Sequence, residues 1–190
     1  MRTLTLALFV GLLGCGKPGT TPEPKTPPVA NPPAPARPTV PAELAVPDDH
    51  KLALVASAKG VQIYECVADA GGALAWKLRA PSAELLDEGG AQIGTHFGGV
   101  DKNLPPGPYW ESTKDGSRVH GGGPVSAPNP GSIPLLRLQA ADTSGNGVFS
   151  HVSFIHRLAT TGGVAPTGEC TAGKRSEVPY TAQYYFYNAP

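Results

Sequence analysis

The sequence has no excess of charge of either sign, since 15 lysine and arginine residues stand against 15 aspartate and glutamate residues in a chain of 190. No basic stripe runs along the chain, whereas a protein that binds nucleic acid needs one to meet the phosphates. Long helical patterns are missing as well, so neither a parallel α/β fold nor a phosphate-binding loop between strand and helix is predicted. The sequence therefore predicts neither a nucleic-acid partner nor a cofactor.

Only one long apolar run is present, at residues 4–13, and it follows the basic start Met1-Arg2-Thr3. As a helix, ten residues would span about 15 Å, which is roughly half of the hydrocarbon core of a bilayer. The run is too short to cross a membrane and is typical of the apolar part of a signal peptide. Residues 1–14 are therefore predicted to be a lipoprotein signal peptide.

The segment Leu12-Leu13-Gly14-Cys15 resembles a bacterial lipobox, with a small residue directly before the cysteine. The resemblance implies that the Cys15 thiol receives diacylglycerol, and that acyl chains such as palmitate then anchor the protein in a membrane. An ordinary signal peptide with an incidental cysteine is the alternative. Gly16 stands where an aspartate commonly retains lipoproteins at the inner membrane. The expectation is export to the cell envelope, at the outer membrane if the organism is Gram-negative.

The segment that follows Cys15 is rich in proline, with ten prolines between residues 16 and 41 and no apolar period. Proline fixes φ and lacks an N–H, so this segment is predicted to be a disordered linker of polyproline-II character. A docking ligand for a proline-binding domain is the alternative. The sequence is thus divided into a lipidated linker at 15–41 and a single domain at 42–190, a normal size for one domain.

Short runs with alternating apolar residues fill the domain, and glycine-rich turns separate them. One example is the last run, in which Val178, Tyr180, Ala182, Tyr184 and Phe186 share a face that is predicted to enter the core. The other runs lie at residues 51–56, 60–67, 73–79, 133–140 and 148–158. This pattern predicts an all-β domain, an antiparallel sandwich or barrel. A helical turn fits only at residues 81–87.

Cysteine is scarce: besides Cys15 the chain has only Cys66 and Cys170. An even pair in an exported domain predicts a disulfide bond, with Cα atoms within about 7 Å of each other. A reactive thiol or a metal ligand is the alternative, but no C-x-x-C motif or adjacent histidine supports it.

Several segments, in order from residue 44 to 187, resemble a bacterial and fungal family called domain of unknown function 3455. They are Gly60-Val-Gln-Ile-Tyr-Glu-Cys66, Trp76 with Ala80-Pro81, Gly94-Thr-His-Phe97, Trp110-Glu111, Asp115-Gly116-Ser117, Ile133-Pro134, Thr160-Thr-Gly-Gly-Val-Ala-Pro166, Cys170, Val178-Pro179-Tyr180-Thr-Ala182 and Tyr185-Phe186-Tyr187. Two departures are an insertion at about residues 100–107 and Leu135 in place of a tryptophan. The resemblance implies a secreted domain with Cys66 paired to Cys170, and it implies no reaction.

The densest group of polar and aromatic side chains lies between residues 94 and 123. The candidate ligand-binding residues there are His96, Trp110, Glu111, Asp115 and Ser117. As a binding module, the domain would use aromatic rings and carboxylates to hold an envelope glycan or a protein. As an envelope hydrolase, it would use His96 as a base with a nearby carboxylate, but no G-x-S-x-G motif is present. The oligomeric state and the identity of the ligand are left open.

A metal site built from His96, His120, His151 and His156 is the remaining alternative. Strands place residues i and i+2 on one face, and no H-x-H motif occurs. The sequence therefore predicts no metal and favours a binding or structural module over an enzyme. In that prediction Phe97 enters the core, and His96 consequently points outward, next to Trp110 and one of the polar candidates.

Overall fold

A computed structural model describes residues 35–190 of the chain. The predicted signal peptide, the lipidation site at Cys15 and linker residues 16–34 lie outside the described residues. Between residues 35 and 190, no helix is long and apolar enough to cross a membrane.

Eight antiparallel strands form one sheet that closes on itself as a barrel. The strands are β1 (Lys51–Ala68), β2 (Leu74–Leu86), β3 (Gln92–Gly98), β4 (Pro108–Ser112), β5 (Arg118–Ala127), β6 (Leu135–Ser144), β7 (Val152–Gly162) and β8 (Arg175–Asn188). Each strand pairs with its neighbours in sequence, and β8 pairs with β1. The prediction of an all-β antiparallel domain is confirmed. The sequence left a sandwich or a barrel open, and the structure is a barrel.

Side chains of alternate residues fill the interior of the barrel. The predicted apolar stripe on β8 is confirmed here, since Tyr180, Ala182, Tyr184 and Phe186 are all buried in the main core. The alternating run at residues 73–79 is part of β2 from Leu74 onward, but its leucines Leu74 and Leu78 are 45% and 55% exposed and do not enter the core. The helical turn predicted at residues 81–87 is wrong, since β2 continues to Leu86 and pairs there with β3.

Strand β1 is long and pairs with both β2 and β8, and Gly60 lies in the part that pairs with both. A Cβ atom at this position would lie 2.1 Å from the carbonyl oxygen of Ser82. Only glycine therefore lets the two strands approach this closely.

The connections between strands define two ends of the barrel. One end, which we call the cavity end, is formed by the connections at residues 69–73, 99–107, 128–134 and 163–174. The other end, the distal end, is formed by the connections at residues 87–91, 113–117 and 145–151. Strand β5 brings the chain back to the cavity end. The sequence did not predict it, because Gly121-Gly122-Gly123-Pro124 interrupts any apolar alternation.

The predicted disulfide bond is confirmed: Cys66 and Cys170 are bonded, with their Cα atoms 5.9 Å apart. Cys66 lies near the end of β1, and Cys170 lies in the connection 163–174 that leads to β8. Backbone hydrogen bonds from Gly173 to Cys66 and from Cys66 to Lys174 accompany the bridge. The disulfide therefore fastens the longest connection of the cavity end to the barrel.

Residues 35–50 pack against the outside of the barrel. Leu44, in the 3₁₀ turn Ala42–Leu44, is fully buried against Ala127 and Leu158. Arg37, within the predicted linker, donates hydrogen bonds to backbone carbonyls between Val46 and His50 and lies over the ring of Tyr187.

Candidate functional site

A cavity of about 270 Å³ opens at the cavity end and extends into the barrel. Residues from all eight strands and from the β3–β4 connection contribute to its wall. The lining is mostly apolar, with Leu78, Pro81, Val100, Pro106, Pro124, Leu136 and Leu138 among its members. A liquid water occupies about 30 Å³, so the cavity has room for roughly nine waters. It is thus large enough for a small organic molecule.

His96 lines this cavity from β3 but does not point outward, so the predicted orientation is wrong. The side chain is inside the barrel and only 2% exposed, whereas Phe97 lies on the outer face. Phe97 is nevertheless buried, because Tyr109 stacks on it and the ammonium group of Lys102 lies 3.9 Å from its ring centre. Because both faces of β3 are covered, Phe97 can be buried on the outer face while His96 is buried on the inner face. The burial of Phe97 therefore does not show that His96 points outward.

The imidazole of His96 is held in one orientation by two contacts. Its Nδ1 lies 2.8 Å from the carbonyl oxygen of Tyr109, and since a carbonyl only accepts, Nδ1 carries the hydrogen. The ring stacks on Trp110 at a centroid distance of 4.4 Å. Burial lowers the pKa of His96 to about 3, although the bond to Tyr109 opposes the shift. The ring is therefore neutral near pH 7, and its Nε2 has a free lone pair.

Three other polar groups in the cavity wall are buried without a hydrogen-bond partner among residues 35–190. They are Nε2 of Gln62, Nε1 of Trp110 and the hydroxyl group of Tyr184. Each of these side chains is at most 1% exposed. Buried polar groups are normally paired, so three unpaired groups around one cavity are unusual in a folded protein. None of the three residues except Trp110 was a candidate from the sequence.

Trp110 reaches this position because Gly121 on the neighbouring strand β5 has no side chain. A Cβ atom on Gly121 would lie 2.8 Å from the indole ring and 3.1 Å from Leu138. The same glycine run that prevented the prediction of β5 thus makes room for the largest side chain in the cavity wall.

Arg157 on β7 adds a positive charge to the cavity wall. Its guanidinium group donates from Nε and Nη2 to the carbonyl oxygen of Pro134. No carboxylate in the described part of the chain forms an ion pair with it. Burial raises the pKa of Tyr184, and the charge of Arg157 partly lowers it again, which places the guanidinium close to the Tyr184 hydroxyl group.

The mouth of the cavity has a second arginine, Arg79, whose charge is compensated. Its two terminal nitrogens lie 3.1 Å from Glu65 and 2.9 Å from Asp101. Asp101 belongs to the 3₁₀ turn Gly99–Lys102, which lies within the insertion noted in the sequence. The insertion therefore forms part of the cavity wall and of its rim.

The five predicted site residues fall into three separate places. His96 and Trp110 lie together in the cavity wall, as expected. Glu111 points to the outside of β4, where its carboxylate lies 3.0 Å from Arg118. Asp115 and Ser117 lie at the distal end of the barrel, which contradicts the expected cluster around His96. Alternation along β4 separates Glu111 from Trp110, since neighbours in a strand face opposite sides. The β4–β5 hairpin carries Asp115 and Ser117 to the distal end.

At the distal end, Asp115 and Ser117 form hydrogen bonds with each other and with the β6–β7 connection. The Asp115 carboxylate accepts hydrogen bonds from the backbone and side chain of Ser117 and from the backbone of Val148. The Ser117 hydroxyl oxygen accepts from the backbone of Phe149. These bonds, chiefly from Ser117, lower the pKa of Asp115 to about 2. The pair joins the β4–β5 and β6–β7 connections and has no nucleophile–base geometry with a histidine.

Residues 35–190 contain no group of three or more histidine, cysteine, aspartate or glutamate side chains that could hold a metal ion. His156 lies outside the barrel core, where its ring nitrogens contact the Leu44 carbonyl oxygen and the Tyr187 hydroxyl group. His120 stacks on Tyr109 on the outer face of the sheet.

Comparison with known proteins gives one match. A family model described as "Protein of unknown function (DUF3455)" matches residues 47–188, which include all eight strands and the disulfide. No curated protein and no solved structure matches the chain.

Proposed function

The chain belongs to the DUF3455 family of proteins of unknown function, and from the geometry of its barrel we propose that it is a lipid-anchored binding protein of the cell envelope. The bound molecule occupies the cavity that His96 and Trp110 line. Closed eight-stranded barrels are wide enough to hold one small ligand, so the fold is compatible with this role.

One observation carries the proposal of a ligand. Gln62, Trp110 and Tyr184 line a single, mostly apolar cavity, and each has a buried polar atom that makes no hydrogen bond among residues 35–190. An unsatisfied buried polar group costs about 1–3 kcal/mol, and a molecule that pairs with such groups recovers this energy. An apolar cavity with a few convergent polar groups is the usual form of a small-molecule site.

The geometry does not favour the two other functions considered from the sequence. A hydrolase would need His96 beside a carboxylate, but His96 donates to the Tyr109 carbonyl oxygen instead. A surface that stacks on a glycan would need exposed aromatic rings. Phe97, Tyr109 and Trp110 are between 1% and 8% exposed. A small molecule inside the barrel is the ligand that the described residues fit.

Binding can be measured through the indole N–H of Trp110, because the chain has only two tryptophans. In Trp76→Phe full-length protein, the one remaining indole N–H signal belongs to Trp110. We expect titration with 3-phenylpropionate or its amide to shift this nuclear magnetic resonance signal, since the indole ring of Trp110 lines the cavity.

Filling the cavity should abolish this response. Leu136→Phe adds volume to the cavity wall and should weaken binding at least about tenfold, because close-packed interiors do not absorb extra atoms. The matched control is Leu74→Phe, which makes the same change at an exposed position. Equal affinities in the two variants would contradict a site inside the barrel.

The lipid anchor rests on the sequence around Cys15, and it has its own test. We expect the mature protein to begin at Cys15, to carry diacylglycerol and acyl chains, and to partition into detergent. Cys15→Ser should remove the mass of the lipid and the detergent partitioning, because the thiol is the atom that is alkylated. Intact-mass measurement of an unlipidated mature wild-type protein would contradict the anchor without bearing on the cavity.

A further inference from the structure

The polar groups of the cavity wall are mostly hydrogen-bond donors, although Nε2 of His96 can accept. The indole nitrogen of Trp110 and the amide nitrogen of Gln62 have no acceptor capacity. Both are unpaired, as is the Tyr184 hydroxyl group. The hydroxyl groups of Tyr180 and Tyr184 lie close enough to influence each other's pKa, but they do not meet the geometry of a hydrogen bond. The two N–H donors of Gln62 and Trp110 therefore lack an acceptor among residues 35–190.

The cavity also lacks a negative charge. Among residues 35–190, Arg157 donates to the neutral carbonyl oxygen of Pro134, lies beside the Tyr184 hydroxyl group and has no ion pair. The nearest acidic groups at the mouth are already paired, because Glu65 contacts Arg79 and Arg175, and Asp101 contacts Arg79. A partly buried cation without a counterion is costly, and an anion in the cavity would compensate it.

The opposite side of the cavity is apolar and reaches the mouth. Leu78 and Val100 are 55% and 44% exposed there, although both are large hydrophobic residues. An apolar cavity of about 150 Å³ holds benzene, so about 270 Å³ suits a molecule of about ten non-hydrogen atoms. The occupant therefore has a polar, accepting end and an apolar body.

We infer that the ligand is a small carboxylic acid whose carboxylate binds Arg157, Gln62 and Tyr184, and whose apolar body lies against Leu78 and Val100. This inference rests on the proposed binding function and names its ligand class. The planar guanidinium group fits a carboxylate, and hydrogen bonds between charged partners are stronger than neutral ones.

The test compares an acid with its neutral isostere in the full chain. 3-Phenylpropionate should bind roughly 10- to 100-fold more tightly than 3-phenylpropanamide at pH 7, because only the acid offers charged acceptors. Arg157→Met should remove this preference, and Arg157→Lys should keep most of it. Arg175→Met removes the same charge from the same end of the barrel without touching the cavity, and it should leave the preference intact. Affinities come from calorimetric titration, and circular dichroism confirms that each variant is folded.

The possible outcomes separate this inference from the proposed function. If acid and amide bind equally well to the wild type, the carboxylate inference is wrong and the binding function stands. A preference that survives Arg157→Met overturns the role of Arg157, and inorganic phosphate binding as tightly as the acid overturns the need for an apolar body. If neither compound shifts the Trp110 signal or binds in calorimetry, both proposals fail.

Discussion

Replacing Cys66 and Cys170 together by alanine should lower the free energy of unfolding by about 2–5 kcal/mol. The bridge joins residues that are 104 positions apart, and in the chain-entropy model a loop of about 100 residues corresponds to roughly 4.7 kcal/mol. Denaturant unfolding of the oxidised wild type and of the double variant measures the difference.

The reduced wild-type protein is the control for this experiment. The reduced protein should have the same free energy of unfolding as the double variant, because both lack the cross-link and differ only in two sulfur atoms. Amide hydrogen exchange should also become faster at Gly173, whose N–H bonds to Cys66 beside the bridge. A double variant as stable as the oxidised wild type would show that the cross-link does not stabilise the barrel.

Acidification should destabilise the protein through His96 over the range from pH 6.5 to pH 3. Burial lowers the pKa of this histidine to about 3 in the folded chain, whereas an unfolded histidine titrates near 6.5. Between these values only the unfolded chain takes up the proton, so stability is complete above pH 6.5 and falls as the pH decreases. The slope is about 1.4 kcal/mol per pH unit, which gives about 3 kcal/mol between pH 6.5 and pH 4.

A His96→Gln variant isolates this effect, since glutamine does not titrate and its amide can still donate to Tyr109. The difference in unfolding free energy between wild type and variant should shrink steadily below pH 6.5. His156, whose pKa is also lowered by burial, is present in both proteins and cancels. His151→Gln, at an exposed position, is the matched control and should follow the wild type. Parallel curves for wild type and His96→Gln would show that burial does not keep His96 neutral.

Alternation and turn residues were sufficient to predict the fold class but not which face of each strand is buried. In β1 the alternation at residues 61–67 is regular, yet the interior receives Gln62, Tyr64 and Cys66 rather than the mostly aliphatic face. A barrel this narrow accommodates polar and aromatic side chains around a cavity, so apolar character alone does not identify its inner face. The same reason explains why Gln62, Tyr184 and Arg157 were not predicted as site residues.

Two further differences have local causes. His96 was predicted to point outward because Phe97 was expected to enter the core. Phe97 is instead buried on the outer face of β3, where Tyr109 and Lys102 contact its ring. Asp115 and Ser117 were expected near His96 because they are close in sequence. The hairpin between β4 and β5 carries them instead to the opposite end of the barrel.

Pairing between β1 and β8 means that the barrel cannot close until β8 has been synthesised. Lys51 pairs with Asn188, so the ring joins the first and the final strand of the domain. Contacts between such distant parts of a chain form late and slowly. During synthesis the sheet therefore stays open until β8 is complete. A chain cut short before β8 would have two bare strand edges, which are templates for aggregation.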